Sequence, residues 1–508
     1  MSTPVYAQHF TPSRAVNLVY DVLHATIGPL VSPRIIDPAC GEGALLLGAV
    51  ERGLTPPERT IGVERDPVLA AETLARPGGP RAAVADSLTG LRSPVAAGSF
   101  DLVVANPPYG TGAAGLREMR DPTARHIAAA YGLWALNGPS AEPRKVALDR
   151  LRSYPAEALF LELCLSLARD GGHVAIILPE GICANARYAK VREWLLERVR
   201  IDAVVGLPKN TFRRTGAAAK TVVMVMTKRR PSARHQVLLG EVTDWDEPAT
   251  DGRLPVHFAT RRRQSTPDLL RRLDPTYWHP AYDEVLESCR VPLGPLDEHI
   301  RNLTYGPIVT GEKPRPADPG VLLVNQGQVQ FCGVDLAGAQ RVSEESPWVA
   351  ERAMLQPGDV VLPRSGEGSL GKHRVAVFLG DQPASVGSFV DLIRLDGMNP
   401  FYLAAFLKSE VGRAQVSRVA NGVGVPNISF DEIRALRVPR VSEGRQEAVE
   451  QQYRQTVLPH HKKAVARHAR LRRAGADPKR DPALKRHREA GEREWRRVIA
   501  GMDAEMVR

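Results

Sequence analysis

The sequence predicts a doubly wound α/β domain built on a seven-stranded sheet, followed by a smaller mixed α/β domain and a basic helical tail. Three observations carry this expectation. Over residues 1–230, short apolar runs that end in an acid or a glycine turn alternate with helical patterns, the rhythm of a largely parallel sheet. From about residue 291 the apolar runs shorten and are separated by Gly and Pro, which marks a second domain over 291–453. Between Arg454 and Arg497 there are 15 Lys and Arg against 5 Asp and Glu, so this stretch of the tail, 454–508, carries +10 against a formal net charge of +11 for the whole chain. The charged, Pro-rich stretch 231–290 reads as a linking region with some helix around Pro267 to Leu273.

Composition sets outer limits. A chain of 508 residues with 43% hydrophobic and 25% charged content can bury at least two cores. No uncharged apolar run reaches the roughly 18 residues of a membrane span and no basic-then-apolar leader opens the sequence, so a cytoplasmic protein without a membrane partner is expected. Fewer than 10 residues precede Phe10, so no fused nuclease is expected there. The 5 cysteines (Cys40, Cys164, Cys183, Cys289, Cys332) include no Cys-x-x-Cys pair. That pattern argues for reduced, mostly buried thiols, with neither a metal site nor a disulfide framework.

In chain order, Phe10-Thr11-Pro12-Ser13 opens a helix expected to run through Leu30, with Thr11 as cap, Pro12 in the first turn, and Ala15, Leu18, Val19, Val22 and Leu23 at helical spacing. Arg34-Ile35-Ile36-Asp37 is a short strand running into Ala39-Cys40-Gly41-Glu42-Gly43 and an apolar helix. Glycines at such a turn admit a bound molecule close to the backbone, yet the spacing lacks the third glycine of a dinucleotide fingerprint and so departs from NAD binding. Two more strands, Thr60 to Glu64 and Ala82 to Asp86, each end in an acid. Glu64 suits a ribose diol and Asp86 an exocyclic amine of adenine, although each acid alone also reads as a plain strand terminator.

Phe100 to Ala105 is a buried strand stopped by Asn106-Pro107-Pro108-Tyr109. The turn joins a side-chain amide, a Pro107 carbonyl outside any helix, and the aromatic ring of Tyr109. Two acceptors beside a stacking face suit the exocyclic amine of a planar base; the plainer reading is a Pro-Pro turn ending a strand. Residues 110–155 are too long for a simple connection and suggest a lid. His173 to Pro179, Asp202 to Leu207 and Thr221 to Thr227 complete seven strands. Between the last two, Phe212 stands in a polar, basic loop, Leu207 to Gly216, as either a base-stacking platform or a hydrophobic anchor for the loop.

Asn106-Pro107-Pro108-Tyr109 after such a strand, with Asp37-Pro38-Ala39-Cys40-Gly41-Glu42-Gly43 upstream, resembles the DNA methyltransferases that make N6-methyladenine, and within them the modification proteins of type I and type IIG restriction-modification systems. The likeness covers roughly 5 to 230. It implies the seven-stranded methyltransferase fold, S-adenosyl-L-methionine as cofactor, and double-stranded DNA as partner, with other subunits of a restriction or defence system as further partners. Carried over residue by residue, it implies that Asn106, Pro107 and Tyr109 are catalytic. It further implies that Thr11, Pro12, Asp37, Ala39, Cys40, Gly41, Gly43, Glu64, Asp86 and Asn106 hold the cofactor, Thr11-Pro12 beside its methionine carboxylate, and that Tyr109 and Phe212 stack on a flipped adenine.

A second likeness, over roughly 290 to 455, is to the target-recognition domain of type I specificity subunits. It rests on Pro357 to Leu362, the Gly-rich Arg364 to Gly371, and Asn421 to Ser429 ahead of a helix and Val438-Pro439. Arg364, Lys372, His373 and Arg374 are the candidate DNA contacts by charge and loop position. The basic tail reads either as a solvated helix or as a phosphate-neutralising one. Rival readings are a cytosine-N4 enzyme, whose usual tetrapeptide has Ser in place of Asn106, a protein-glutamine methyltransferase, and a DNA-binding component of a defence complex with little activity alone.

Overall fold

The computed structural model describes residues 11–75, 78–89, 95–110, 120–132, 151–152, 154–212, 220–246, 256–420 and 427–507. These form two compact units that divide near residue 280. Among the described residues no helix is long and apolar enough to cross a membrane.

The first unit is a mixed sheet with helices on both faces. Its strands are β1 (Ile35–Asp37), β2 (Thr60–Glu64), β3 (Arg81–Val84), β4 (Phe100–Ala105), β5 (Ala168–Pro179), β6 (Arg200–Gly206), β7 (Thr221–Thr227), β8 (Gln236–Glu241) and β9 (Phe258–Arg263). They are ordered β3-β2-β1-β4-β5-β7-β6-β8-β9. β1 to β5 are mutually parallel, and β7 inserts antiparallel between β5 and β6. The chain runs outward from β1 to β3 and then returns to β4 on the other side of β1. That reversal leaves a crevice beyond the carboxyl ends of β1 and β4, where open α/β sheets bind ligands.

Strand alternation divides the core between two faces. Ile36, Val103 and Ala105 point to one face, where they share a cluster with Leu159 of helix Ala156–Leu167 and Val191 of helix Ala189–Arg198. Ile35, Leu102 and Val104 point to the other, with Val16, Val19 and Leu23 of α1 (Ser13–Ile27) and Leu45 and Leu46 of α2 (Ala44–Glu51). The doubly wound expectation is met. α1 is shorter than expected, because Gly28 at φ +80° ends it, and Thr11 makes no capping bond at its start.

The stretch 231–290, expected as a link, instead contributes β8 and β9 to the sheet. Val237 and Leu239 of β8 lie in one core and Leu238 in the other. Arg261, Arg262 and Arg263 on β9 gave the segment its linker-like charge; β9 is an edge strand, where charge blunts unwanted pairing.

The second unit is mixed α/β, as expected. Strands Ile300–Tyr305, Val390–Leu395, Val360–Pro363 and Ala376–Val377 form one antiparallel sheet in that order, and Gln340–Val342, Val321–Val324 and Ala384–Val386 form another. The basic tail is no separate element, contrary to the boundary at 454. Helix Glu443–Gln452 continues through a π-helical turn, Tyr453–Val457, into α3 (Leu458–Arg473), and α4 (Pro482–Val507) packs along α3. Trp495, Ile499, Met502 and Met506 recur at helical spacing on α4 and are buried with Tyr453, Phe401 and Phe406. The Tyr453 ring sits 4.7 Å from Phe401 and 5.1 Å from Trp495. Arginines on the outer face hid this apolar stripe from a count of charge.

Trp495→Ala removes the largest fully buried side chain. The expected loss is about 3–5 kcal/mol in the second unit, measured by urea denaturation followed at tryptophan and by circular dichroism. An unchanged unfolding midpoint would return the tail to a solvated appendage.

Candidate active site

The crevice at the strand reversal gathers most of the residues expected there. Asp37 closes β1 and is buried; its Oδ1 accepts from the Ala39 N–H at 2.9 Å. Burial pushes its carboxyl up to about 8, opposed by the Ala39 N–H and reinforced by the charge of Glu64. The Cys40 N–H bonds the Val63 carbonyl at 3.0 Å and ties the turn to β2. Gly41 and Gly43 hold φ +54° and +76°, in the left-handed region that favours glycine, and a Cβ on Gly41 would meet nothing within 4 Å, so the turn presents bare backbone to open space.

Glu64, at the end of β2, braces that turn. One carboxylate oxygen accepts from the Gly41 N–H and the other from the Asp66 N–H, each at 2.9 Å. Asp86 follows β3; its Oδ1 accepts from the Leu88 N–H at 3.1 Å, and Arg65 lies 3.7 Å from its Oδ2. Three acids thus stand at the carboxyl ends of three neighbouring strands. The Cys40 side chain packs beneath the turn rather than toward a ligand, since a Cβ on Gly62 of β2 would lie 2.6 Å from its sulfur.

Asn106 leaves β4, whose Val103 pairs with Ile36 of β1, so Asn106 and Asp37 leave adjacent strands. It is 8% exposed. Its amide nitrogen donates to the Thr11 hydroxyl at 3.0 Å, and its carbonyl oxygen accepts from the Tyr109 hydroxyl. Thr11, expected as a helix cap, therefore serves Asn106 instead, and Pro12 takes the N-cap position of α1. Burial and the charge of Glu157 hold the Tyr109 phenol far above its usual range, so it remains a donor. Among the described residues no hydrogen bond reaches the Pro107 carbonyl.

Glu157 was not legible as a site residue. It is 2% exposed and accepts from the Gly110 N–H at 2.7 Å and the Tyr188 hydroxyl at 2.9 Å. The available signal was an acid in the first turn of a mostly apolar helix, a buried charge in need of donors. A second missed group is Lys220, buried between Glu180 at 3.0 Å and Glu241 at 2.6 Å, which ties the ends of β5 and β8 to the start of β7. The two carboxylates hold its ammonium above the usual lysine range against the opposing effect of burial.

Phe212 is a correction. Its ring is 1% exposed, in the core cluster that includes Leu207, Val223 and Val256, so it anchors the loop and offers no face to a base. Residues 213–219 of that loop, most of 110–155, and Asn421 to Pro426 lie outside the described residues. In the second unit Arg364 is also corrected. Its guanidinium lies 4.2 Å from the Tyr305 ring centroid and 5.5 Å from that of Phe430, with Asp391 3.7 Å from its Nε, which makes it a packed bridge rather than a reader of base edges. Lys372, His373 and Arg374 lie together on one cleft.

Residues 5–250 match the family model described as N-6 DNA Methylase, a span that takes in most of the first unit. The type II methyltransferase M.CvrRI of Paramecium bursaria Chlorella virus XZ-6E is 23% identical over 222 residues, 44% of this chain and 48% of that protein. The chain thus spans about half the length of this relative. Among solved structures, the type IIG restriction endonuclease BpuSI aligns with 99% of this chain and 67% of its own at 13% identity and a TM-score of 0.45. The methyltransferase subunit of a type I restriction-modification system from Streptococcus thermophilus aligns with 52% of this chain and 51% of its own, at 21% identity and a TM-score of 0.34.

The raised Asp37 carboxyl has a signed consequence. The folded chain keeps a proton that the unfolded chain releases above about pH 4, so this group lowers stability progressively as pH rises from about 4 to about 8, and no further beyond. Asp37→Asn keeps the acceptor for Ala39 and removes that slope. Urea midpoints of both proteins at pH 5 and pH 8 are expected to diverge in favour of the variant at pH 8. Parallel curves would place Asp37 in an ionised, solvated setting.

Proposed function

We propose that the first unit transfers a methyl group from S-adenosyl-L-methionine to N6 of an adenine swung out of double-stranded DNA, and that the second unit selects the DNA site. The setting would be restriction-modification or phage defence in the cytoplasm, with or without partner subunits. The observation that carries this reading is Asn106, an uncharged carboxamide fixed by Thr11 at the strand reversal, beside the open Pro107 carbonyl. Two acceptors and no strong base suit an aniline-like amine, whose nitrogen gains positive charge as it attacks.

The residues present fit the cofactor. The bare turn at Gly41 admits a close ligand, and each Glu64 oxygen takes a single backbone donor, which leaves a lone pair for a ribose hydroxyl. Thr11, Pro12, Asp37, Ala39 and Gly43 would border the methionine part, and Asp86 the adenine amine. When bound, the cofactor supplies an electrophilic methyl group on a sulfonium. Asn106 Oδ1 and the Pro107 carbonyl would accept the two amine hydrogens of the target base, aim its lone pair away from them, and stabilise the developing charge. The Tyr109 hydroxyl, now on Asn106 Oδ1, must yield that oxygen first, while its ring remains as the stacking surface.

Asn106→Ala is expected to lower single-turnover methyl transfer to duplex DNA by about 100-fold or more, with cofactor affinity within about threefold of wild type. Tyr109→Phe keeps the ring and is expected to change the rate by no more than about tenfold. Mass spectrometry of the digested DNA identifies the product: N6-methyladenine is expected, and N4-methylcytosine or an unmodified duplex would overturn the substrate assignment. Wild-type turnover in Asn106→Ala would remove that residue from the mechanism.

A further inference from the structure

A cleft of about 440 Å³ in the second unit is walled by the Lys372–Arg374 loop on one side and by α3 and α4 on the other, with Arg413 of helix Glu410–Val419 at its rim. A smaller lobe of about 180 Å³ shares Lys372, His373 and Arg413 and reaches Lys408. Its charge is uneven. Arg488 is paired with the buried Asp335 at 2.9 Å and Arg496 with Glu492 at 2.6 Å. Among the described residues, no ion pair within 4 Å joins Lys372, Arg374, Lys408 or Arg413 to a carboxylate, although Asp503 lines the smaller lobe and its charge interacts with that of Arg413.

Lys408 is the sharpest of these. It is 3% exposed and donates to the carbonyls of Val375 and Ala404, two of the three bonds an ammonium can make. The rings of Phe331 and Trp495 flank it, at 5.3 and 5.8 Å. Burial pulls its pKa down to about 7. Near neutrality the amine is therefore only partly protonated, and an anion entering beside it would favour its charged form. His373, in the same wall, holds φ +49° and has a buried Nδ1 with no hydrogen-bond partner.

We infer that this cleft binds a phosphate group, held by Lys372, Arg374 and Arg413 at the mouth and by Lys408 within. Guanidinium forks and ammonium donors match the several acceptor oxygens of a phosphate. The volume suits a phosphate ester of nucleotide size better than a small inorganic anion, since pockets of roughly 300–1,000 Å³ enclose ligands of that order. Two sources share this chemistry, a nucleic-acid backbone and a free nucleotide. Either would lie between the Lys372–Arg374 loop and the helix that carries Arg413, with α3 and α4 as the opposite wall.

The test is calorimetric titration of the full chain with inorganic pyrophosphate, then addition of a short DNA duplex. The wild type is expected to bind saturably, Lys372→Gln/Arg413→Gln to bind at least about tenfold more weakly, and Arg480→Gln, whose side chain is 90% exposed elsewhere on the tail, to bind as wild type. Lys372 and Arg413 are exposed, so their replacement leaves the core intact, and equal melting temperatures verify this. Displacement of pyrophosphate by duplex assigns the site to a nucleic-acid backbone; persistence assigns it to a free nucleotide. No saturable binding by the wild type, or equal affinity in the double variant, overturns the inference. The readout needs no methyl transfer, so its failure and the failure of the proposed reaction are distinguishable.

Discussion

The buried carboxylate of Glu157 is the contact on which the geometry of the first unit's crevice depends. Pro107 and Pro108 carry no N–H, so the middle of the turn after β4 offers no backbone donors of its own. Gly110, at φ +92°, offers an N–H, and Glu157 takes it, while the Gly110 carbonyl accepts from the Ala156 N–H at 3.2 Å. The same carboxylate receives the Tyr188 hydroxyl, itself met by Arg187 at 3.0 Å. The turn is thus pinned at both ends, by Thr11 on Asn106 and by Glu157 on Gly110. A side chain from outside the turn can in this way hold the Asn106 amide in place.

Much of this was legible in the sequence because the relevant signals are local. Strands ending in Asp37, Glu64 and Asp86, and the Asn106 turn after an apolar run, depend on neighbours within a few residues. What escaped was long-range. Thr11 and Asn106 are 95 residues apart, and nothing near Thr11 distinguishes a cap from a tether. Phe212 was read by its polar neighbours, whereas its burial is decided by distant elements such as Val223 and Val256. On α4 the apolar stripe from Trp495 to Met506 has a clear helical period, yet the intervening arginines dominated the composition, and composition is blind to which face a charge occupies.

In the second unit, part of the positive charge is turned inward. Arg364 lies between aromatic rings over Asp391, whose carboxylate oxygens are buried without hydrogen-bond partners; burial pushes that carboxyl up to about 7 and the guanidinium opposes it. Arg394 makes two 2.8 Å bonds to the buried Asp359. Such pairs contribute more to fixing one arrangement of strands than to net stability, because desolvation offsets much of their attraction. The charge of this unit therefore overstates the surface it has available for a polyanion.

In the reaction proposed above, the Tyr109 hydroxyl on Asn106 would change what an entering base can gain. The amide oxygen is already hydrogen-bonded before any base arrives, so the incoming amine exchanges one donor for another instead of filling an empty acceptor. Exchange of this kind is close to neutral in free energy. Ground-state affinity for the base would then come from ring contact and from DNA held elsewhere. Under the proposed reaction the Asn106 bond would gain strength only as the nitrogen becomes cationic, so its contribution would be confined to the barrier and would raise turnover without tightening the hold on unreacted substrate.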